Sequence, residues 1–493
     1  MGAVKTKDLT REVLLRQLTK ISKLRKRDPL VILSHGLGVE TAAIWKRWVE
    51  EPETRPFKSW DRLIVVTAQV GHEHAETVKL MEEHQLPEMK RLGVRFVEVA
   101  RRGHLEADGI VVLQDTRAPE KLHPEGYYKL GDELKHAGTV PQYSGEHRCA
   151  LKFKAFVIET WMAYEFRGDE SRPVVHVWGY NAGELGRTAK SEKYVRQHNK
   201  DREKPAGKGQ APLVVFGFNS EELGRVERSR KYDGPTRTGH YPLIEWGWGR
   251  PECLAYLTGH YKVLWIKSAC GFCPFNEEAY KVTQIGIDRF RRDPDATVDG
   301  LFVEFVSLSL NPKGQLYRDR TMASVVEGDP KLAHVWRAFQ ARLDAEKWGL
   351  YLVQRIFTLD PRQTHVRMLA GKPPKAGVAR AVKLLDGNLT RAQAIEALEQ
   401  CEIESLAHGM PGEVVTREKG LHGIEYVYLH KRRDYYPAVE CFYVVCPAVV
   451  ADKVRGPWET FERRFKSALA AKRPKAKVLP KLVIEADDDI YFR

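Results

Sequence analysis

The chain has 493 residues, 43% of them hydrophobic, which is enough for two or three domains with buried cores. No run approaches the roughly 20 apolar residues of a membrane span, and the N-terminus has no apolar signal-peptide core, so we expect a cytoplasmic protein without membrane contact. The formal net charge of +14 favours a polyanionic partner, either nucleotide or nucleic acid. Seven cysteines in so long a chain argue against a disulfide scaffold.

The first 295 residues alternate between strand and helix patterns after an N-terminal basic, amphipathic helix over 5–27. We predict strands over 30–33, 62–68, 94–99 and 174–178, and helices over about 40–50, 74–92 and 153–165. This alternation is typical of a doubly wound, mainly parallel α/β sheet. Ligands of such sheets bind at the C-terminal ends of strands, which is where Ser34, Gly71 and Tyr180 fall.

The alternation is lost from about residue 300. Helix patterns follow over 331–348 and 391–399, and strand patterns over 426–428 and 441–446. We therefore predict three parts: a basic helix (1–29), a nucleotide-binding domain with a cysteine-rich site (30–295), and an additional C-terminal α+β domain of unknown role (296–493). The polar segment 196–211 and the lysine-rich tract 472–481 are candidate nucleic-acid contacts.

The most informative segment is a glycine-rich junction between the first strand and its helix. An apolar run ends at Ser34, and Gly36, Gly38 and the Glu40–Thr41 pair follow. Glycines permit a tight turn and close approach to a ligand, and the first N–H groups of a helix attract phosphate. The loop lacks the lysine of a Walker motif and the third glycine of a dinucleotide fingerprint. A glycine-rich turn without a ligand is the alternative interpretation.

This loop resembles the pyrophosphate loop of the adenine-nucleotide alpha-hydrolase superfamily. More narrowly, it resembles the phosphoadenylylsulfate reductase family and its phage and DNA-modification relatives. Four further segments resemble that family in order and spacing, although Gln69 stands where the family has an aspartate. These segments are 71–77, 145–152, 179–187 and 240–248. The resemblance spans about residues 30 to 280 and implies a HUP/PP-loop fold that binds ATP, or phosphoadenylylsulfate, with Mg²⁺.

The resemblance also implies site residues. The implied catalytic residues are Glu40, Arg148, Lys152 and Glu184. The implied nucleotide-binding residues are Ser34, His35, Gly36, Leu37, Gly38, Val39, Glu40, Thr41, Thr67, Ala68, Gly71, Glu73, Arg148, Lys152, Tyr180 and Arg187. Arg148 and Lys152 would supply positive charge to phosphate oxygens, and Glu40 or Glu184 would hold Mg²⁺. Ordinary surface residues at a helix start are the alternative interpretation of the two cations.

Four cysteines form a candidate metal site. Cys270 and Cys273 are a Cys-x-x-Cys pair, and one tight turn with two thiolates suits a tetrahedral metal or an iron–sulfur corner. Cys149 and Cys253 would complete the set. We expect a [4Fe–4S] cluster, with three thiolates and one open iron, zinc, or no metal as alternatives. Without metal, Cys149 and Cys253 would be buried core thiols.

Sulfite-forming reductases of this family use a C-terminal cysteine, whereas this chain has Lys419 before Gly420, Leu421 and His422. We therefore expect an ATP pyrophosphatase that forms an adenylate and supports sulfur transfer or nucleic-acid modification. The expected partners are DNA or tRNA and a sulfur donor such as a cysteine desulfurase. The alternatives are a phosphoadenylylsulfate reductase that forms sulfite and a non-catalytic nucleotide-sensing or nucleic-acid-binding component.

Overall fold

A computed structural model gives the conformation of most of the chain, in two compact units, Met1–Glu346 and Lys347–Arg493. The described residues are 28–141, 148–165, 213–215, 238–276, 280–369, 371, 375–408, 415–454 and 456–472. Several predictions lie outside them: the N-terminal helix, the strand over 174–178, the segment 196–211, all but Lys472 of the tract 472–481, and the site residues Tyr180, Glu184 and Arg187.

The first unit contains a six-stranded sheet in the order β4-β3-β2-β1-β5-β6. Its strands are β1 (Val31–Ser34), β2 (Leu63–Gln69), β3 (Arg95–Arg101), β4 (Ile110–Thr116), β5 (Leu213–Val215) and β6 (Thr238–His240). All neighbouring strands are parallel except the edge strand β4, which runs antiparallel to β3. The predicted α/β class is therefore confirmed, with a mixed parallel and antiparallel sheet.

Helices connect and cover these strands. They are α1 (Val39–Glu50), α2 (Ala75–Leu80), α3 (Leu86–Leu92), α4 (Leu130–Ala137), α5 (Phe156–Glu165), α6 (Arg250–Tyr261), α7 (Gln284–Arg292), α8 (Pro294–Leu310), α9 (Met322–Gly328) and α10 (Ala333–Ala345). A π-helical turn, Met81–Gln85, joins α2 to α3. A second π-helical turn, Leu151–Ala155, follows the short helix Arg148–Ala150 and leads into α5. The predicted helices over 40–50 and 74–92 are thus confirmed, the latter with a π interruption.

Strand β1 is apolar throughout because both faces of the sheet are covered. Val31 and Leu33 belong to a buried cluster with Trp45 of α1. Ile32 points to the opposite face, where it joins a second cluster with Trp161 of α5. Burying one such aliphatic side chain stabilises a fold by about 1.5–3 kcal/mol. Burial on both faces fixes the end of β1, and hence the loop that follows it.

The division at 346/347 differs from the predicted boundary at 295/296. Helix α8 is the reason, because almost its whole circumference is buried in the first unit. At its start, Ala296 packs so closely on Gly271 that no side chain would fit on the glycine. Further along, Asp299 accepts a hydrogen bond from Arg342 of α10 at 2.6 Å. Loss of the strand–helix alternation therefore does not mark the end of this unit.

The second unit contains a five-stranded antiparallel sheet in the order β8-β7-β11-β10-β9. Its strands are β7 (Trp348–Leu359), β8 (Ala376–Leu389), β9 (Thr416–Lys419), β10 (Glu425–His430) and β11 (Ala438–Pro447). Its helices are α11 (Pro361–Leu369), α12 (Arg391–His408) and α13 (Trp458–Leu469). Phe461 and Phe465 of α13 pack on Ile356 and Val439 of the sheet. The strands predicted over 426–428 and 441–446 are confirmed. None of the described helices has the length and apolarity needed to cross a membrane.

Candidate functional site

The loop after β1 is held in a strained but well-supported conformation. The His35 N–H donates to the Val66 carbonyl at 2.7 Å, which extends the pairing of β1 with β2. Leu37 has a φ of 59°, a left-handed conformation that costs a side-chain-bearing residue about 1–2 kcal/mol. Its N–H donates to Nδ1 of His35 at 3.1 Å, and its side chain is buried. One hydrogen bond and one apolar anchor thus fix the turn.

His35 supports the loop from inside, because its imidazole is buried and not open to a ligand. Burial lowers the pKa of His35 to about 3, although the Gln85 side chain opposes the shift. Because Nδ1 accepts from Leu37, the proton of the neutral ring is on Nε2, on the side of Gln85. Gln85 ends the π-helical turn Met81–Gln85 and donates to the Ala42 carbonyl of α1 at 3.1 Å. The irregular turn therefore ties the loop to the helix that follows it.

Helix α1 begins immediately after this loop. Gly38 is its N-cap and provides no side-chain cap, and the first helical hydrogen bond runs from Ala42 N–H to Gly38 O at 3.0 Å. The N–H groups of Val39, Glu40 and Thr41 therefore have no acceptor within the helix. Together with the helix dipole, they give the C-terminal edge of β1 a partial positive charge. This end of the helix suits an anionic group.

Glu40, an implied catalytic residue, lies at this helix start and is oriented by Arg250. The Nε of Arg250 donates to Oε1 of Glu40 at 2.8 Å, and a terminal guanidinium nitrogen donates to the same oxygen. The other carboxylate oxygen faces Gly38, 3.8 Å from where a Cβ on that glycine would lie. Helix α6, which begins at Arg250, therefore fixes one oxygen of Glu40 and leaves the second turned toward the loop.

The loop after β2 forms the neighbouring wall. Thr67 and Ala68 lie within β2, and the chain then turns at Gly71, whose φ is 83°. A Cβ on Gly71 would approach Cγ of Lys129 to 2.6 Å, so both conformation and space require glycine here. The Leu130 N–H donates to the Val70 carbonyl at 2.9 Å. The start of helix α4 is thereby attached to the end of β2.

Residues 265–273, here named the cysteine segment, touch the loop after β1. The indole Nε1 of Trp265 donates to the Leu37 carbonyl at 3.3 Å. Cβ of Ser268 lies 3.5 Å from where a Cβ on Gly38 would be. The cysteine segment therefore borders the start of helix α1.

The same segment is also hydrogen-bonded to the loop after β2. The Ala269 N–H donates to a Glu73 carboxylate oxygen at 3.0 Å, and Glu73 forms a β-bridge with Cys270. The Gly271 N–H donates to the His72 carbonyl at 3.1 Å. Burial raises the pKa of Glu73, while the nearby charge of Lys154 lowers it. Two strand-end loops and the cysteine segment thus form one continuous site.

Cys270 and Cys273 lie on the predicted tight turn, in which the Cys273 N–H donates to the Cys270 carbonyl at 2.9 Å. Burial raises the pKa of both thiols. Cys149 is near enough for its charge to raise the pKa of Cys270 further, whereas the charge of Lys154 lowers it. Cys270 and Cys273 thus share one turn, and Cys149 is an electrostatic neighbour of Cys270.

The fourth candidate, Cys253, lies elsewhere. It is fully buried in the apolar cluster that also contains Trp45 and Trp265. Burial raises its pKa, and Glu40 and Glu252 are its main electrostatic neighbours. Across the described residues, no group of three or more histidine, cysteine, aspartate or glutamate side chains is arranged to hold a metal ion. The predicted four-cysteine set is thus not assembled there.

The residues between the two cysteines are explained by packing on α8. A Cβ on Gly271 would lie 2.3 Å from Cβ of Ala296, so helix and turn can approach only at a glycine. Phe272 is fully buried against Gly300 of the same helix, and its ring lies 5.2 Å from that of His72. The Cys-Gly-Phe-Cys sequence is therefore anchored to α8 by its two middle residues.

The two cations implied by the resemblance have different surroundings. Arg148 is exposed at the start of its short helix. Lys152 donates from Nζ to the Glu133 carboxylate at 2.5 Å, so its charge is already balanced. The charge of Lys154, which we did not predict, instead reaches the cysteine turn and lowers the pKa of Cys273. Lys152 and Lys154 both lie in the π-helical turn Leu151–Ala155, and they have different electrostatic partners.

Sequence reasoning also missed Lys267, which lies within the cysteine segment. Its Nζ donates to the Phe275 carbonyl at 3.2 Å. Burial lowers its pKa, and the positive charge of Arg250 lowers it further, whereas Cys273 and Glu40 act in the opposite direction. Lys267 therefore lies between the loop after β1 and the cysteine turn. Only its place three residues before Cys270 could have indicated from the sequence that Lys267 belongs to the site.

No protein-family model matches this sequence, and neither a curated protein nor a solved structure is similar enough to be matched. The case for a function therefore rests on the residues of the site.

Proposed function

We propose that this protein binds an adenine nucleotide at the loop Gly36–Thr41 and releases pyrophosphate from ATP, as do the HUP/PP-loop proteins that its sequence resembles. One observation supports this most directly. The uncapped start of α1, the loop after β2 and the cysteine segment adjoin one another at the C-terminal edge of neighbouring parallel strands. Ligands of parallel sheets bind at that edge, and the helix start favours phosphate.

In the proposed reaction, an oxygen of the acceptor attacks the α-phosphorus of ATP. The bond from that phosphorus to the bridging oxygen breaks, pyrophosphate leaves with the electron pair, and the acceptor becomes adenylylated. The N–H groups at the start of α1 are placed to stabilise the charge on pyrophosphate. The carboxylate oxygen of Glu40 that faces Gly38 is the proposed ligand of Mg²⁺. Arg148 is exposed and free to meet a further phosphate oxygen.

Sulfur transfer or nucleic-acid modification is the proposed use of this adenylate. Cys149, Cys270 and Cys273 are the residues that would hold an iron–sulfur cluster or a zinc ion, since Cys253 lies in the apolar core. An iron–sulfur cluster would supply the site at which sulfur is bound or delivered. Burial raises the pKa of both turn thiols, so neither is a free reactive thiolate.

The reductase alternative gains no support from the second unit. Lys419 ends β9, and Gly420, Leu421 and His422 form the turn into β10. That segment is part of an antiparallel sheet, and its lysine side chain lies beside Glu425. A reductase of the resembling family would require a cysteine at the position of this lysine.

The proposal is tested by incubating the full chain with ATP, Mg²⁺ and candidate DNA or tRNA. We expect pyrophosphate release and adenylate or AMP, and we expect Glu40→Gln to lower the rate at least about tenfold. Glu51→Gln, a carboxylate that also pairs with an arginine but at the far end of α1, is the matched control and should keep the rate. Cleavage to ADP would contradict the scheme. Nucleotide binding without any turnover would instead favour the sensing component.

The metal part is tested by purification without oxygen, followed by iron and zinc analysis. We expect stoichiometric metal that is lost in Cys270→Ala and retained in Cys253→Ala. Loss of metal in both Cys270→Ala and Cys253→Ala would show that Cys253 is also a metal ligand. A wild-type protein without metal would overturn the metal part and leave the nucleotide part to its own test.

A further inference from the structure

Lys267 is a half-buried cation whose surroundings leave its charge uncompensated. Its Nζ donates to a neutral backbone acceptor, the Phe275 carbonyl. Among the described residues no carboxylate forms an ion pair with Lys267, and Glu40, whose charge acts on it, is paired with Arg250 instead. A cation withdrawn from water is costly unless a counter-charge accompanies it. The position therefore calls for an anion from outside the chain.

The location of Lys267 indicates which anion fits. The next residue, Ser268, borders the start of α1 at Gly38. The Nζ of Lys267 is held at the Phe275 carbonyl, two residues after Cys273. An anionic group in contact with Lys267 would thus lie between the phosphate-favouring helix start and the cysteine turn. The loop itself carries no lysine, so a phosphate there needs a cation from another segment.

We propose that Lys267 binds the α-phosphate of the nucleotide and holds it between the loop and the cysteine turn. This inference rests on the proposed function and adds the residue that orients the reacting phosphate. The N–H groups at the start of α1 then take the β- and γ-phosphates, which leave as pyrophosphate. In this arrangement the α-phosphate lies on the side of the cysteine turn, where Nζ of Lys267 is held.

The test is calorimetric titration of the full chain with ATP, AMP, adenosine and pyrophosphate. We expect Lys267→Met to weaken both ATP and AMP by about tenfold or more, the usual effect of losing a charged hydrogen bond. Adenosine and pyrophosphate should bind as they do to the wild type. Lys267→Arg should recover most of the ATP affinity, since it keeps the charge. Lys262→Met, which removes an exposed lysine five residues earlier, is the matched control and should change none of these affinities.

The four binding affinities distinguish the possible roles of Lys267. Equal weakening of AMP and adenosine would show a structural role for Lys267 and overturn the inference. Weakening of ATP and pyrophosphate without AMP would place Lys267 at the leaving group and also overturn it. Unchanged affinities in Lys267→Met would also overturn the inference, but they would leave the proposed function intact. A wild-type chain that binds neither ATP nor AMP would overturn the proposed function itself.

Discussion

His35 is expected to make the stability of the first unit sensitive to acid. Its pKa is about 3 in the folded chain, against about 6.5 when unfolded. Between these values the unfolded state binds a proton that the folded state does not, so stability falls as the pH falls below 6.5. For these two pKa values, the loss between pH 7 and pH 5 is about 2 kcal/mol. His72, whose pKa burial lowers to about 4, adds a loss of about 2 kcal/mol over the same interval.

A substitution can remove this titration while keeping the loop. An asparagine at position 35 can accept the N–H two residues later, as Nδ1 of His35 accepts from Leu37. His35→Asn should therefore keep the turn, with some loss of packing that does not depend on pH. Its loss of stability between pH 7 and pH 5 should be smaller than that of the wild type by about 2 kcal/mol. Substituting the exposed His136 by asparagine should leave the wild-type difference unchanged.

The measurement is urea unfolding of the full chain at both pH values. For each variant, the free energy of unfolding at pH 5 is subtracted from that at pH 7. The contributions of the other titrating groups are the same in each variant and therefore cancel in the comparison. If His35→Asn loses as much free energy of unfolding as the wild type on acidification, His35 is not a buried neutral imidazole and this explanation of the loop fails.

Three further outcomes are expected. Burial raises the pKa of Glu304 to about 7, so the folded chain becomes less stable as the pH rises and this carboxyl loses its proton. In urea unfolding, the free energy of unfolding of Glu304→Gln should therefore fall by about 2.5 kcal/mol less between pH 5 and pH 8 than that of the wild type. Gly271→Ala should destabilise by about 1–3 kcal/mol in thermal unfolding, because its Cβ would collide with Ala296, whereas Gly259→Ala, with open space, should not. Arg433→Gln should lower the thermal stability of the second unit by about 1–3 kcal/mol, since three carbonyls at the end of α13 accept from Arg433; an unchanged midpoint would contradict this.

The loop after β1 could be located from sequence because its signal is local. A strand buried on both faces is a continuous apolar run, and the glycines that follow it mark the turn. Strand β4 was not predicted, because Ile110–Thr116 is an edge strand whose residues are half-buried or exposed, and its apolar run of four residues gives way to polar ones. Only its pairing with β3 defines it. Local patterns therefore revealed the centre of the sheet but not this edge.

The cations of the site were harder to predict. Lys152 was implied by the family resemblance, and in the structure it pairs with Glu133. Lys154, two residues further on and therefore on another side of the helix, is the lysine whose charge acts on the cysteines. Lys267 is one of 80 lysines and arginines, and only the fold places it beside the loop. Which lysines lie at the site is therefore decided by contacts between distant segments, which the local sequence does not reveal.

The cysteine turn shows why a short motif needs its surroundings to be interpreted. Gly271 and Phe272 are both dictated by contact with α8, whether or not the flanking thiols bind a metal. The two middle residues are thus explained without a metal, so the Cys-x-x-Cys spacing alone is weak evidence for one. Cys149 comes from another segment and is an electrostatic neighbour of Cys270, yet no three such side chains among the described residues are arranged to hold a metal ion. The dependence of bound metal on Cys149 is therefore the measurement that separates a metal site from a packing arrangement.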